Sequence, residues 1–134
     1  MTFEAKLAPG NNHTAFWVRD LEAIEKFYVE VVGLRIVSQR RNSPRNPDAT
    51  FFTGLQLLRA PTGRDVSTKG VLDHVGINVA NMDQIIANLA ANGVGLDGSI
   101  NVANPGGNGV PRVRTAFFAD PEGNRIELIE RGQV

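Results

Sequence analysis

The protein is 134 residues long, its 14 Lys plus Arg balance its 14 Asp plus Glu, and it has no cysteine. That length is enough to bury one sizeable core, and the charge balance offers no general attraction to nucleic acid or an anionic membrane. The missing cysteines remove disulfides, thiolate metal ligands and thiol catalysis. Met1-Thr2-Phe3-Glu4-Ala5-Lys6 has no apolar stretch, and no uninterrupted run approaches the ~18 apolar residues of a membrane span. The expectation is a soluble, cytoplasmic protein that meets small molecules, with neither nucleic acid nor membrane as partner.

In chain order, residues 13–18 alternate: Thr14, Phe16 and Val18 share one face, His13, Ala15 and Trp17 the other. This predicts a strand. Asp20 reads as an N-cap with Glu22 in the first turn, and Leu21, Ile24, Phe27, Tyr28 and Val31 recur at helical spacing up to Gly33. Leu34–Val37 predicts a second strand. Asn42–Pro47, with two prolines, predicts a loop. Thr50–Phe52 and Leu55–Leu58 predict two strands joined tightly at Thr53-Gly54.

The pattern then recurs. Val75, Ile77 and Val79 alternate with His74, Gly76 and Asn78; Asn81 reads as the cap of a helix carrying Met82, Ile85, Ile86 and Leu89, stopped by Gly93. Val94–Val102 predicts a strand, Asn104–Gly109 a glycine-rich flexible loop, Thr115–Phe118 another strand. Asp120-Pro121-Glu122-Gly123 has the chemistry of a tight turn leading into a last strand at Ile126–Ile129. Across the halves His13 matches His74, Asp20 matches Asn81, Phe51-Phe52 matches Phe117-Phe118, and Gln56 matches Glu127. The reading is an α+β chain of two tandem βαβββ units forming a curved mixed sheet around a concave metal site. It is one domain over 1–134, with unit one at about 10–61, a linker at about 62–70 and unit two at about 71–131.

The repeat puts the only two histidines at equivalent positions, on the face opposite the apolar set. Gln56 and Glu127 fall on that same face of the last strands. Four potential ligands thus occupy matched positions that a pseudo-two-fold axis could bring together. The plan, the two histidines, Gly76, and Asp120-Pro121-Glu122-Gly123-Asn124 ahead of Ile126-Glu127-Leu128 resemble the vicinal oxygen chelate superfamily, over nearly the whole chain. That superfamily includes glyoxalase I, methylmalonyl-CoA epimerase, extradiol dioxygenases and the fosfomycin- and bleomycin-resistance proteins. The resemblance implies metal ligands at His13, His74 and Glu127, with Gln56 at the fourth position, where it either ligates or lines the cavity. It further implies that Glu127 is the candidate base and that the protein is a homodimer.

Two imidazoles, a carboxylate and an amide oxygen suit Ni²⁺, Co²⁺, Zn²⁺, Mn²⁺ or Fe²⁺ without choosing among them. Open positions would take a small substrate with two adjacent oxygens, as in a glyoxalase-type lyase or isomerase that removes a proton beside a polarised carbonyl. An Fe²⁺-dependent dioxygenase is the alternative enzyme, although both histidines are already used as ligands. A metal-free small-molecule binding or resistance protein is the alternative outside catalysis. Trp17 either walls an apolar substrate pocket or packs half-buried, and Asn78 shares its face. Arg40, Arg41 and Arg45, with Arg112 and Arg114 in the other unit, form either a solvated basic edge or an anion-capturing fork. Arg114 is the member taken as substrate-binding.

Overall fold

The computed structural model describes residues 13–66, 72–107 and 109–132. Chain order is β1 (His13–Val18), α1 (Leu21–Phe27), β2 (Ile36–Arg40), β3 (Ala49–Phe52), β4 (Gly54–Arg59), then β5 (Val75–Asn78), α2 (Met82–Ala91), β6 (Asn101–Asn104), β7 (Val113–Ala119) and β8 (Arg125–Arg131). The α+β plan of two βαβββ units is what the chain adopts. Hydrogen bonding gives two four-stranded mixed sheets, ordered β1-β4-β3-β2 and β5-β8-β7-β6. In each, the first strand lies parallel beside the last, and the other pairings are antiparallel. A parallel pair needs a crossover, and the helix supplies it.

Asp20 caps α1 as expected, accepting a hydrogen bond from the Ala23 N–H at 3.1 Å. Beyond Phe27 the helix widens into a π-helical turn, Tyr28–Val32, closed by Gly33 in the left-handed region at φ 90°. The extra residue moves the apolar stripe on by one. Val32 is therefore buried and Val31, expected on the stripe, only partly so. The start of α2 departs from expectation. Asn81 makes no capping bond and instead donates to Gln84 Oε1 at 3.0 Å. The cap comes from across the sheet, where Glu130 Oε2 accepts from the Met82 N–H at 2.9 Å and sets a carboxylate at the positive end of the helix.

Two predicted strands shift. Leu34–Val37 becomes Ile36–Arg40, and of Val94–Val102 only the end forms a strand, at Asn101–Asn104. Gly98, at φ 86°, interrupts that extended run. The predicted turn holds: Gly123 N–H bonds to the Asp120 carbonyl at 2.9 Å, while Asp120 Oδ1 accepts from Glu122 N–H and Asn124 N–H, each at 2.9 Å.

One apolar cluster lies between helices and sheets and draws on both halves, from Phe16, Leu21, Tyr28 and Leu57 to Met82, Phe118, Ile126 and Leu128. Among the described residues, three groups of side-chain hydrogen bonds join the halves. The buried Tyr28 hydroxyl donates to Asp120 Oδ2 at 2.8 Å; burial, and next the Asp120 charge, push the phenol well above its ordinary range. Asn88 Nδ2 donates to the Glu30 and Val31 carbonyls, at 3.0 and 2.7 Å, at the end of the first helix. The Glu122 carboxylate accepts from Arg19 N–H (2.9 and 3.0 Å) and Asp20 N–H (3.1 Å). The halves therefore meet through their helix layers, and the end of β1 is fastened to the turn ahead of β8.

Candidate metal centre

Alternation sends the buried residues of the strands towards the helices: Phe16 and Val18 on β1, Leu55 and Leu57 on β4, Val75 on β5, Ile126 and Leu128 on β8. The intervening residues face outward, and register sets them beside one another. Gln56 is flanked by Ala15 and Phe51 in the first sheet; Glu127 is flanked by Gly76 and Phe117 in the second. The matched ligand positions read from the sequence are thus matched in space within each sheet.

In the second sheet the pair is assembled. His74 Nε2 stands 3.6 Å from Glu127 Oε1. Nδ1 of the same ring lies 2.7 Å from Asp73 Oδ2. An ionised carboxylate only accepts, so Nδ1 carries a proton towards Asp73, and Nε2 is the ring nitrogen turned towards Glu127. Two ligands bound at about 2.1 Å to one ion stand roughly 3.0–3.4 Å apart, so the pair fits a shared cation with little movement. Asp73 stands where a carboxylate commonly orients the imidazole of a metal-ligating histidine. Gly76 makes room for the Ile129 side chain: a Cβ there would come 3.0 Å from Ile129 Cδ1, and 3.7 Å from Glu127 Oε1.

Around the pair, Phe117 meets the His74 ring edge-on at 5.3 Å. The Arg125 guanidinium covers Phe117 at 3.9 Å and donates to Asp73 Oδ2 and Asp97 Oδ2, both at 3.2 Å. Asp73 is held below the ordinary carboxylate range, first by its bond to His74 and then by the Arg125 charge. Sequence reasoning missed Asp73, Phe117 and Arg125. Only adjacency to His74 and the arginine inside the turn-strand motif hinted at them.

A single copy of the chain does not bring all four ligand candidates together. Among the described residues no group of three or more His, Asp or Glu side chains is arranged to hold a metal ion. Trp17, at the far end of β1, lines a cavity of about 270 Å³ with His74, Ala15, Arg64, Leu72 and Arg125. His13 lies four residues back along β1, roughly 13 Å at ~3.3 Å per residue. Trp17 is 36% exposed, and the Arg64 guanidinium stacks on its indole at 4.7 Å. Asn78 faces outward two residues beyond Gly76, exposed and outside that cavity lining. Arg114 is a correction. It sits on the helix side of β7, with Nη2 2.6 Å from Glu130 Oε1 and Nη1 3.1 Å from Asp83 Oδ1. Strand alternation puts Phe117 outward and Arg114 inward, so Arg114 anchors α2 and does not face the His74–Glu127 pair.

The family model for the glyoxalase/bleomycin resistance protein/dioxygenase superfamily matches residues 10–128. The chain belongs to that superfamily. A lactoylglutathione lyase from Arabidopsis thaliana is 25% identical over 131 residues, with 90% of this chain and 44% of that protein covered. The chain thus spans under half the length of that relative. Among solved structures, the trypanothione-dependent glyoxalase I of Leishmania major superposes with a TM-score of 0.67 at 22% identity, covering 92% of this chain and 87% of that one. TnmS3, an antibiotic-binding protein from Streptomyces, gives 0.64 at 22% identity, covering 96% and 100%. At such identities the structural likeness establishes the fold. The superfamily includes both enzymes and non-enzymatic resistance proteins. No helix among the described residues is long and apolar enough to cross a membrane.

Proposed function

We propose that the protein is a metal-dependent lyase or isomerase of glyoxalase type, acting in the cytoplasm as a homodimer on a small substrate with two adjacent oxygens. The observation that carries this is the His74–Glu127 pair, an imidazole nitrogen and a carboxylate oxygen 3.6 Å apart with the imidazole already oriented by Asp73. His74 and Glu127 of one copy, with His13 and Gln56 of a second, would hold a divalent ion. An isologous two-fold dimer makes two such centres, which accounts for ligands kept apart within one chain. Bound there, the ion would polarise a substrate carbonyl as a Lewis acid. Glu127, its side chain 19% exposed, takes the proton from the neighbouring carbon. Phe117, edge-on to the His74 ring, shields one side of the pair. The cavity beside His74, about 270 Å³, falls just below the usual ~300–1,000 Å³ range of ligand pockets, which favours a compact substrate.

With both histidines serving as ligands, no third imidazole is left for acid–base work in ring cleavage, so the Fe²⁺ dioxygenase reading ranks below this one. The Trp17–Arg64 cavity favours a second reading, a binding protein that holds a small molecule without metal. Metal analysis of the purified protein, repeated on His74→Ala, tests the choice. The enzyme reading expects a stoichiometric divalent ion, its loss in the variant, and turnover of a methylglyoxal adduct. A protein that takes up no divalent metal, with His74→Ala indistinguishable from it, would overturn that reading.

A further inference from the structure

Around His74 the contacts close on themselves. Asp73 Oδ2 accepts a hydrogen bond from the imidazole Nδ1–H at 2.7 Å and another from Arg125 Nη1 at 3.2 Å. The same guanidinium lies 3.9 Å over the Phe117 ring, and Phe117 meets the imidazole at 5.3 Å with the planes at 87°. Arg125 is anchored from behind by Asp97 Oδ2, 3.2 Å from its Nε. It therefore reaches the imidazole from two sides, each time through another residue.

That arrangement answers a physical difficulty. A neutral imidazole has two tautomers and a soft ring torsion, and only one tautomer in one plane presents the Nε2 lone pair to Glu127. A carboxylate at Nδ1 selects the tautomer. Asp73, however, has a side chain 76% exposed, and a surface carboxylate left to itself moves freely. A guanidinium fixed between two carboxylates and an aromatic face immobilises it. In the first half the position matching Arg125 is Gly54, at φ 80°, and Phe51 is covered at 5.5 Å by Arg40 from β2.

We propose that Arg125 is a positioning residue for His74, holding Asp73 so that the ring proton stays on Nδ1 and holding Phe117 so that the ring plane points Nε2 at Glu127. This rests on the proposed function only in taking Nε2 as the metal-facing atom. The test uses the full chain, ¹⁵N-labelled and stripped of metal with a chelator, at a pH of about 8.5 where imidazoles are neutral. Long-range ¹H–¹⁵N correlation reads the tautomer of each histidine, and His13 serves as the internal reference because the chain has only two.

The expected result is His74 in the Nδ1–H form in the parent protein. It becomes a mixture in Arg125→Ala and in Asp73→Ala, and a smaller change appears in Arg125→Lys, with His13 unmoved throughout. Cobalt(II) titration of the same samples should show affinity about 10-fold weaker in Arg125→Ala. An Nε2–H form in the parent, an unmoved His74 spectrum in Arg125→Ala, or unchanged cobalt affinity in that variant would each overturn the proposal. If Arg125→Ala does not fold, Asp73→Ala, altered at an exposed side chain, decides the same question by the same two readouts. Should the tautomer respond as expected while the parent binds no cobalt, the positioning role stands and the metal-dependent function falls.

Discussion

In the first half of the molecule the polar chemistry lies on the helix side of the sheet. Glu25 accepts from Thr50 Oγ1 at 2.8 Å, from Arg41 Nη2 at 3.4 Å and from Gln39, and Arg41 Nη1 reaches the Ala49 carbonyl at 2.6 Å. In the second half the residue matching Thr50 is Ala116, fully buried in the apolar cluster. On the outward face the contrast runs the other way. His74 is held by Asp73, Phe117 and Arg125, whereas the first half offers Gly54 where the second has Arg125. Even the last strands exchange signs, for Arg59 reaches Glu22 on the first helix while the matching Glu130 caps the second helix directly. Both halves thus fix their helices with side-chain charges, and among the described residues the second also carries the contacts that hold His74 beside Glu127.

The sharpest way to break this contrast is at the two matched ligand positions. Glu127→Gln should lower turnover by roughly 10²–10⁴-fold, the usual scale for losing a general base. Gln56→Ala should cost far less, and equal losses in kcat would show that the halves contribute alike.

Next in size is the joint. Tyr28→Phe removes the hydroxyl from buried Asp120 and should lower the urea-unfolding free energy by about 1.5–3 kcal/mol, as for a bond to a charged group. A loss within error would mean that the phenol is not what secures the two halves.

The helix layers can be exchanged as well. Ala116→Thr puts a hydroxyl into the apolar cluster and should cost about 1–3 kcal/mol, while Thr50→Ala, which takes one donor from Glu25, should cost about 1 kcal/mol. The order reverses if the two layers are equivalent.

The smallest effect is on acid stability. Arg59 donates to Glu22 and depresses its pKa to about 2. A depressed carboxylate stabilises the fold above its ordinary pKa of about 4.5 and loses that contribution as pH falls towards 2. Arg59→Ala should flatten the stability curve in that window. The Glu22 side chain is 61% exposed, so the change should be at most about 1 kcal/mol, as for surface pairs. A steeper acid limb in the variant would contradict the assignment.

Much of the fold was legible because it is written in alternation. His13 with His74 and Gln56 with Glu127 could be matched from strand period alone, and Asp20 and the Asp120–Gly123 turn rest on local chemistry that the chain carries with it. What stayed hidden depends on which surfaces meet. Glu130 falls just past the predicted last strand, and it is a helix cap because β8 runs on and finishes beside α2. Arg114 looked like an anion-binding edge and turned inward to the same helix. Asn88 is an ordinary helix residue until the carbonyls of the other helix arrive above it. Arg125 and Asp73 are 52 positions apart, and no sequence period links them.

The clasp that Glu122 closes on Arg19 and Asp20, together with Tyr28 and Asn88, makes the placement of the two halves a matter of contact rather than of connection. Two separately made fragments should find each other and rebuild the same molecule. A gene that doubled by fusing two copies of one unit would, on this geometry, keep the option of working as two pieces.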